Sequence, residues 1–365
     1  MSAKKTPLYD RHVELGGNVM NFGGYLLPTQ YSGIKQEHNA VRSKAGLFDV
    51  SHMGEFIVSG YDAESFLQKV TINDVASLSI GQAHYSAMCY KDGGIIDDLL
   101  VYKKENEFML VVNASNQEKD LGWLKSHVKG DLSIKDVSEQ MGLVALQGPQ
   151  SRNILQTLTD TNLSNIQFYH FASGRVSGKE AIIARTGYSG ELGFEIYAKA
   201  DEIVEIWDAI MDAGADKGLS PAGLGCRDTL RMEMKYALYG NDIDKTTNPL
   251  EAGLSWITAF DKKDFIGRKS LLEKKKNGQS RQLVAIVMDE RGIPRQGYEI
   301  FSASEKVGVV TSGSQSPQLK SGIGLGYVNK PFHKSGQKIA VKIRNQLVGA
   351  HIIKPPFVKD TSLHH

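Results

Sequence analysis

Cysteine is scarce in this chain of 365 residues, in which Cys89 and Cys226 are the two cysteines and form no CxxC pair. The sequence therefore excludes zinc ribbons, iron–sulfur clusters held by several thiolates and a disulfide-stapled secreted scaffold. An excess of either charge is absent too, because 43 Lys and Arg stand against 41 Asp and Glu. This balance gives no electrostatic footprint for nucleic acid or for an anionic membrane, so neither partner is expected.

Long apolar runs and a secretory leader are also missing. No stretch reaches the roughly 18 apolar residues that a bilayer-spanning helix needs, and the first ten residues contain no apolar signal core. The sequence thus predicts a soluble, cytoplasmic protein. Since 41% of the residues are hydrophobic and a domain averages about 150 residues, we expect a globular chain of two or three domains.

Motifs for metals and nucleotides are absent or imperfect. The ten histidines are scattered and no HExxH occurs, so no metal site is expected. The stretch Gly174–Glu180 resembles a phosphate-binding loop, but Glu180 occupies the position where such a loop has a Ser or Thr that coordinates magnesium. The glycines of Gly322–Gly326 open no helix, unlike those of a dinucleotide fingerprint. Ser51 and His52 are adjacent in an extended segment and point to opposite faces, which argues against a nucleophile–base pair.

Short apolar runs separated by turn residues predict a mixed α and β fold. We expect two α+β lobes with mainly antiparallel sheets, because the spacing gives no regular alternation of strands and helices. Amphipathic helices are predicted over Asp62–Val70, Gln117–Val128 and Asp201–Met211. The charged stretch Glu273–Arg281 is interpreted as a domain linker. After it only strands are predicted, in a small C-terminal β-barrel or jelly-roll domain.

The stretch Gly93–Tyr102 carries two adjacent acids at the entrance of an apolar strand. Side chains alternate along a strand, so Asp97 and Asp98 face opposite ways, and Asp98 is expected on the side of Leu100 and Tyr102. A carboxylate on an apolar, aromatic wall is a candidate general base or cation stabiliser. Spacing alone leaves open the alternative that both acids are ordinary turn residues.

A glycine-dense loop, Arg185–Gly193, leads into an aromatic strand at Phe194–Tyr197. Its glycines allow the backbone to approach a ligand closely. Glu195 interrupts the strand, and its carboxylate could accept two parallel hydrogen bonds from the ring N–H and exocyclic amine of a flat heterocycle. A hairpin turn with an exposed Glu is an equally open alternative.

The stretch Pro221–Arg231 is typical of a loop that enters a helix. Arg227 and Arg231 are four residues apart and share a helical face, so an anion or a paired acid could lie beside them. The alternative is an ordinary helix start capped by Asp228.

Taken together, these segments resemble the aminomethyltransferase (T protein) family of the glycine cleavage system. They follow family order from Lys5–Leu8 to Lys354–Phe357 and so cover nearly the whole chain. Each segment is a weak signal alone, whereas the ordered set is strong. The other matching segments are Phe48–Glu55, Gly93–Leu99, Val112–Asn116, Leu146–Pro149, Arg185–Glu191, Gly223–Arg231 and Asn248–Leu254.

The resemblance implies a three-domain, cloverleaf-like enzyme that binds tetrahydrofolate as a co-substrate in a central cavity and needs no metal. The implied domains are residues 1–50 with 140–272, residues 51–139 and residues 282–365. The implied partner is the lipoylated H protein, whose arm delivers an aminomethyl group. The implied products are 5,10-methylenetetrahydrofolate, ammonia and dihydrolipoyl H protein.

The resemblance also assigns roles to individual residues. Asp98 matches the family's catalytic aspartate beside the reactive nitrogens of the folate, and Glu195 matches the glutamate that binds the pteridine. Arg227 matches an arginine that lines the same cavity near the route of the lipoyl arm. Further positions that match the cavity lining are Tyr188, Asn113, Tyr102, Leu100, Tyr85 and Met53.

Two other functions remain open for the same fold. One is a folate-binding scaffold without transferase activity. That subgroup is expected to carry a Lys-Gly-Cys-Tyr-x-Gly-Gln motif, where this chain has Gly225–Asp228. The other is a folate-dependent demethylase that acts on a small methylated donor.

Overall fold

The computed structural model describes residues 3–365 of the chain. The described helices are α1 (Tyr9–Glu14), α2 (Ile34–Ser43), α3 (Ala63–Val70), α4 (Gln117–Ser126), α5 (Ser151–Leu155), α6 (Ile203–Gly214), α7 (Leu224–Glu233) and α8 (Arg268–Asn277). The described strands are β1 (Lys4–Lys5), β2 (Val19–Phe22), β3 (Tyr25–Pro28), β4 (Ala45–Asp49), β5 (Gly54–Ser59), β6 (Gln82–Cys89), β7 (Ile95–Lys103), β8 (Glu107–Val112), β9 (Ser133–Asp136), β10 (Met141–Gln147), β11 (Phe171–Val176), β12 (Lys179–Ala184), β13 (Gly193–Lys199), β14 (Leu219–Pro221), β15 (Arg281–Met288), β16 (Glu299–Ser302), β17 (Glu305–Gln315), β18 (Gly322–Asn329), β19 (Lys338–Ile343) and β20 (Gln346–Ile353).

These strands form three open sheets and one barrel. A small sheet has the order β1-β3-β2, a six-stranded sheet the order β11-β12-β13-β10-β4-β14, and a five-stranded sheet the order β6-β7-β8-β5-β9. Strands β15-β18-β17-β16-β19-β20 close into a barrel. Strand pairs are antiparallel except β1 with β3 and β4 with β14. The predicted α+β class with mainly antiparallel sheets and a C-terminal barrel is therefore confirmed.

Hydrophobic periodicity explains how these elements pack. Along β19, Ile339 and Val341 are buried in the barrel core while Lys338 and Lys342 are exposed, as the period of two requires. In α6, residues at helical spacing are buried against the six-stranded sheet, namely Ile203, Ile206, Trp207 and Ile210.

The six-stranded and five-stranded sheets share an apolar core. Phe48 from β4, Leu143 from β10 and Tyr197 from β13 pack in one cluster with Tyr102 from β7 and Val111 from β8. This shared core brings β7, which carries Asp98, close to β13, which carries Glu195.

The predicted linker Glu273–Arg281 is wrong over most of its length. Helix α8 continues to Asn277 and ends at Gly278, whose φ of 79° favours glycine. Leu271 of this helix is buried next to Gly93, where an added Cβ would lie 2.9 Å from the leucine side chain. That packing fixes the helix, so its lysines form a solvated helical face rather than a linker.

The alternative in which Asp228 caps the helix start is also wrong. Helix α7 begins at Leu224 with Gly223 before it, and the N–H of Gly223 donates to Glu37 Oε2 at 2.9 Å. Asp228 lies inside the helix and accepts a hydrogen bond from Arg231 Nε at 2.8 Å. A buried acid from α2 therefore holds the residue before the helix, and the Gly225 N–H of the first turn donates to the Thr29 carbonyl at 2.9 Å.

Candidate active site

Asp98 lies inside β7, three residues after the strand begins at Ile95. It pairs in register with Ala87 of β6, and Asp97 pairs with Met88. Asp97 is fully buried, whereas Asp98 is partly exposed, like Leu100 two residues later. Because both acids lie within the paired strand, they are not ordinary turn residues.

The Asp98 carboxylate is held by two donors from neighbouring strands. Tyr85 Oη of β6 donates to Oδ2 at 2.8 Å, and Asn113 Nδ2, one residue after β8, donates to Oδ1 at 2.8 Å. Burial and the nearby Asp97 charge raise the pKa of Asp98 to about 7, although these two hydrogen bonds oppose the rise. A carboxyl with such a pKa can exchange a proton near neutral pH.

An aromatic wall continues from Tyr85. Its ring stacks on Trp256, with centroids 6.1 Å apart and an interplanar angle of 29°. Trp256 is 68% exposed and lies in a short 3₁₀ turn, Ser255–Ile257. Met53 and Leu100 are half-buried and pack against the core shared by the two sheets. The sequence reasoning missed Trp256, because only the fold brings that turn to β6.

Glu195 lies in the middle of β13, paired with Ala145 of β10 and Ala184 of β12. Its side chain is largely buried, so it is not the exposed Glu of a hairpin turn. Thr186 Oγ1 donates to Oε2 at 2.5 Å and Tyr197 Oη donates to the same oxygen at 3.3 Å. Oε1 receives no hydrogen bond from residues 3–365, and so has acceptor capacity for a further donor.

Tyr102 contacts the two hydroxyl groups that bind Glu195. It has no exposed surface, and its hydroxyl is 2.9 Å from Tyr197 Oη and 3.2 Å from Thr186 Oγ1. Tyr102 therefore supports the two hydroxyls that hold Glu195. In the structure it does not present a free surface to a ligand, unlike the cavity-lining role that the family resemblance implies.

Arg227 and Tyr188 form a stacked group. The Arg227 guanidinium lies 4.6 Å from the Tyr188 ring centroid, and the other stacking partner of that ring is Tyr236 at 5.6 Å. Burial is the main cause that lowers the pKa of Arg227, while the charge of Glu195 opposes it. Burial raises the pKa of Tyr188, and the charge of Asp98 adds to the rise. These mutual effects place both carboxyls within electrostatic range of one aromatic–guanidinium group.

Arg231 has a different role from Arg227. It is nearly fully buried, and its Nη1 donates to Asp242 Oδ2 at 2.6 Å while Nη2 donates to Ser312 Oγ of the barrel at 3.0 Å. The expected paired acid thus exists as Asp242 in the loop after α7, and the hydrogen bond to Ser312 connects the helix to the barrel.

No nucleophile–base pair forms at Ser51 and His52. Ser51 Oγ donates to the Leu143 carbonyl at 3.1 Å. Burial and the Arg227 charge lower the pKa of His52 to about 4, so its imidazole is neutral at physiological pH.

The part of the chain that the structure describes contains no group of three or more His, Cys, Asp or Glu side chains arranged to hold a metal ion. Within residues 3–365, no helix combines the length and the apolar character needed to cross a membrane.

Comparison with family models gives two matches along the chain. Residues 8–262 match the GCVT N-terminal domain, and residues 281–359 match the glycine cleavage T-protein C-terminal barrel domain. The second match coincides with the closed barrel.

Similar proteins extend over the full length. An aminomethyltransferase of Halothermothrix orenii is 50% identical, over 97% of this chain and 100% of its own. An aminomethyltransferase of Bacillus subtilis is 49% identical, over 98% of this chain and 99% of its own. The crystal structure of glycine cleavage system aminomethyltransferase T from Bartonella henselae superposes with a TM-score of 0.93 at 32% identity, covering 99% of both chains.

Proposed function

Because the chain belongs to the glycine cleavage T-protein family and is an aminomethyltransferase of that system, we propose that its substrates are tetrahydrofolate and the aminomethyl-lipoyl arm of H protein. The proposed products are 5,10-methylenetetrahydrofolate, ammonia and dihydrolipoyl H protein. The observation that supports this proposal is that Asp98 on β7 and Glu195 on β13 are two differently held carboxyls, on strands of two sheets that share one core.

Glu195 has the chemistry to recognise the pteridine. Thr186 and Tyr197 fix one of its oxygens, so the carboxylate plane is oriented before the ligand arrives. The ring N–H and exocyclic amine of a pterin are two parallel donors, which suit a carboxylate acceptor. The rings of Tyr188 and Tyr236, which stack on each other, would supply the flat apolar surface that such a ring requires.

Asp98 has the chemistry to assist the transfer. In the balanced reaction, the donor carbon loses its C–N and C–S bonds and forms new bonds to two folate nitrogens. The two protons released by those nitrogens end on ammonia and on the lipoyl thiol. A carboxyl whose pKa is raised to about 7 can take a proton from an attacking nitrogen and stabilise the cationic carbon as ammonia departs.

The deciding experiment measures 5,10-methylenetetrahydrofolate formation from tetrahydrofolate and purified aminomethyl-lipoyl H protein. We expect product only when enzyme, folate and loaded H protein are all present. Folate binding without product in the complete mixture would instead indicate the scaffold function. Product from a free methylated donor without H protein would indicate the demethylase.

A further inference from the structure

The side chain of Gln147 has no part in the reaction proposed above, although it belongs to one of the segments that match the family, Leu146–Pro149. Gln147 is the last residue of β10 and is almost fully buried. It pairs with Gly193 of β13, and Ala145, two residues earlier, pairs with Glu195. Because paired residues and residues two apart share one face of a sheet, Gln147 and Glu195 lie on the same face.

The Gln147 amide bridges two points of the glycine-dense loop Arg185–Gly193. Its Nε2 donates to the Thr186 carbonyl at 3.1 Å, and its Oε1 accepts from Ser189 Oγ at 2.7 Å. The Ser189 hydroxyl also accepts from the Glu191 N–H at 3.1 Å, which leaves its proton for Gln147. Since the carbonyl can only accept and this hydroxyl donates, the two partners together fix the orientation of the amide.

Two glycines of the loop make room for this amide. A Cβ added at Gly187 would lie 2.1 Å from Gln147 Oε1, and one added at Gly193 would lie 2.3 Å from Nε2. A larger residue at either position would therefore displace the amide from its two hydrogen-bond partners.

Thr186 connects the amide to Glu195. Its carbonyl accepts from Gln147, while its hydroxyl donates to Glu195 Oε2 at 2.5 Å. A residue that is held at its backbone presents its side chain from a fixed position, so the hydroxyl approaches the carboxylate from one direction. The amide of Gln147 thus acts on the carboxylate of Glu195 through one intervening residue.

Other residues hold the far end of the same loop. Arg42 Nη1 donates to the Ser189 carbonyl at 2.8 Å and to Glu191 Oε1 at 2.9 Å. Ser362 Oγ donates to Glu191 Oε2 at 2.6 Å. These bonds do not involve Gln147, so loss of its amide should loosen the first part of the loop and leave the end attached.

We propose that Gln147 is a positioning residue, which orients Glu195 toward the pterin through Thr186 and thereby sets the affinity for tetrahydrofolate. The proposal rests on the pterin-binding role of Glu195 proposed above. Gln147 touches no reacting atom, and other side chains hold Asp98, so the transfer step does not depend on this amide.

A substitution of similar length tests this role. Gln147→Met cannot donate to the Thr186 carbonyl, so the Kd for tetrahydrofolate, measured by calorimetric titration, should rise about tenfold. The KM for folate should rise with it, while kcat at saturating folate stays within about twofold of wild type. The matched control is Gln140→Met, an exposed glutamine just before β10, for which no change is expected. A wild-type Kd in Gln147→Met would overturn the proposal.

A double-mutant cycle separates positioning from a general effect on the fold. If Gln147 acts through Glu195, Gln147→Met should raise the Kd by less than about twofold in the Glu195→Ala background, against about tenfold in the wild-type background. A merely structural role would give the same factor in both backgrounds, and that result would contradict the proposal.

Hydrogen exchange gives a readout that needs no ligand. In Gln147→Met the Ser189 hydroxyl loses its acceptor, so the Glu191 N–H that donates to this hydroxyl should exchange faster than in wild type. The Leu192 N–H donates to Ser362 Oγ at 3.0 Å and should keep its protection. Equal exchange of the Glu191 N–H in both proteins would show that the amide does not hold the loop.

The outcomes distinguish this proposal from the proposed function. If wild type binds no tetrahydrofolate, or if Glu195→Ala binds it as tightly as wild type does, the proposed function of the site is contradicted. Hydrogen exchange still decides in that case whether Gln147 holds the loop. If Glu195→Ala weakens binding and Gln147→Met does not, the positioning role alone is overturned.

Discussion

Adjacent residues of the same type acquire different chemistry in β7. Asp97 is fully buried and receives three hydrogen bonds from Asn113 and Asn116, so it is held rigidly. Asp98 is partly exposed and is held by one phenol and one amide. Strand alternation separates the two side chains, and the tertiary environment then gives Asp98 a pKa of about 7.

Replacing the candidate base tests its role directly. We expect Asp98→Asn to keep the fold and the affinity for tetrahydrofolate, because the amide is isosteric, and to lower turnover by about 100-fold or more, since an acid–base group is lost. In wild type, kcat should rise with pH through about 7 as the carboxyl ionises, and the variant should lack this limb. The measurement is steady-state turnover across pH, with the exposed Asp160→Asn as control. Wild-type turnover in Asp98→Asn would contradict the assignment.

Glu195 should control the affinity for tetrahydrofolate rather than the turnover rate. In Glu195→Ala, two donors of the bound pterin lose their acceptor, so tetrahydrofolate binding should weaken by about 1–3 kcal/mol. Calorimetric titration of the variant measures this loss. The matched control is Glu180→Ala on the neighbouring strand β12, where the side chain is exposed and no change is expected. Equal affinities for wild type and Glu195→Ala would remove Glu195 from the binding site.

At the scale of the element, the turn between β6 and β7 determines where the acids of β7 lie. Gly94 leads directly into that strand, and its N–H donates to Asp92 Oδ1 at 3.0 Å. A Cβ added at Gly94 would lie 2.2 Å from the backbone oxygen of Lys245. The turn and the Asp244–Thr247 loop must therefore move apart before any larger side chain fits.

Two glycine variants test this close approach. Gly94→Ala should destabilise the protein by roughly 1–3 kcal/mol, because backbone atoms must shift to accept the methyl group. Gly122→Ala in α4 is the control, since nothing lies within 4 Å of its added Cβ. It should be stabilising by up to about 1 kcal/mol from helix propensity. Urea denaturation measures both, and an equal stability of Gly94→Ala and wild type would contradict the packing argument.

At the scale of the whole molecule, α7 joins the barrel to the sheets. Glu233 at its end accepts from Ser316 Oγ of the barrel region at 2.6 Å and from Arg42 Nη2 of α2 at 2.8 Å. Arg231, two residues earlier in the helix, donates to Asp242 and Ser312. Arg227, on the same helix, lies at the candidate site. The helix that anchors the barrel therefore also carries this candidate residue.

Removing the buried arginine should weaken that junction. Arg231→Met leaves the buried Asp242 carboxylate without its cation, and we expect a loss of about 3–5 kcal/mol in the free energy of unfolding. Lys69→Met is the control, because the Lys69–Asp264 pair is exposed and contributes little. Urea denaturation followed by tryptophan fluorescence gives both values. If Arg231→Met lowers the free energy of unfolding no more than the control does, Arg231 does not stabilise the junction between α7 and the barrel.

Local patterns along the chain were enough to predict several features of the fold and of the candidate site. The period of two placed Asp98 and Asp97 on opposite sides of a strand, and short strands with turn residues predicted the C-terminal barrel. The ordered motifs indicated the family. These signals act over a few residues or persist in fixed order, so they need no knowledge of the fold.

Contacts between distant segments required the tertiary structure. It showed that Tyr102 contacts the hydroxyl groups that bind Glu195, that Trp256 stacks on Tyr85 and that Glu37 accepts a hydrogen bond from the residue before α7. Burial and charge–charge effects depend on which segments meet in space, and a linear sequence does not specify those meetings. The sequence therefore determined which acids and aromatic side chains the candidate site has, whereas packing decided the protonation, the exposure and the hydrogen-bond partners of those side chains.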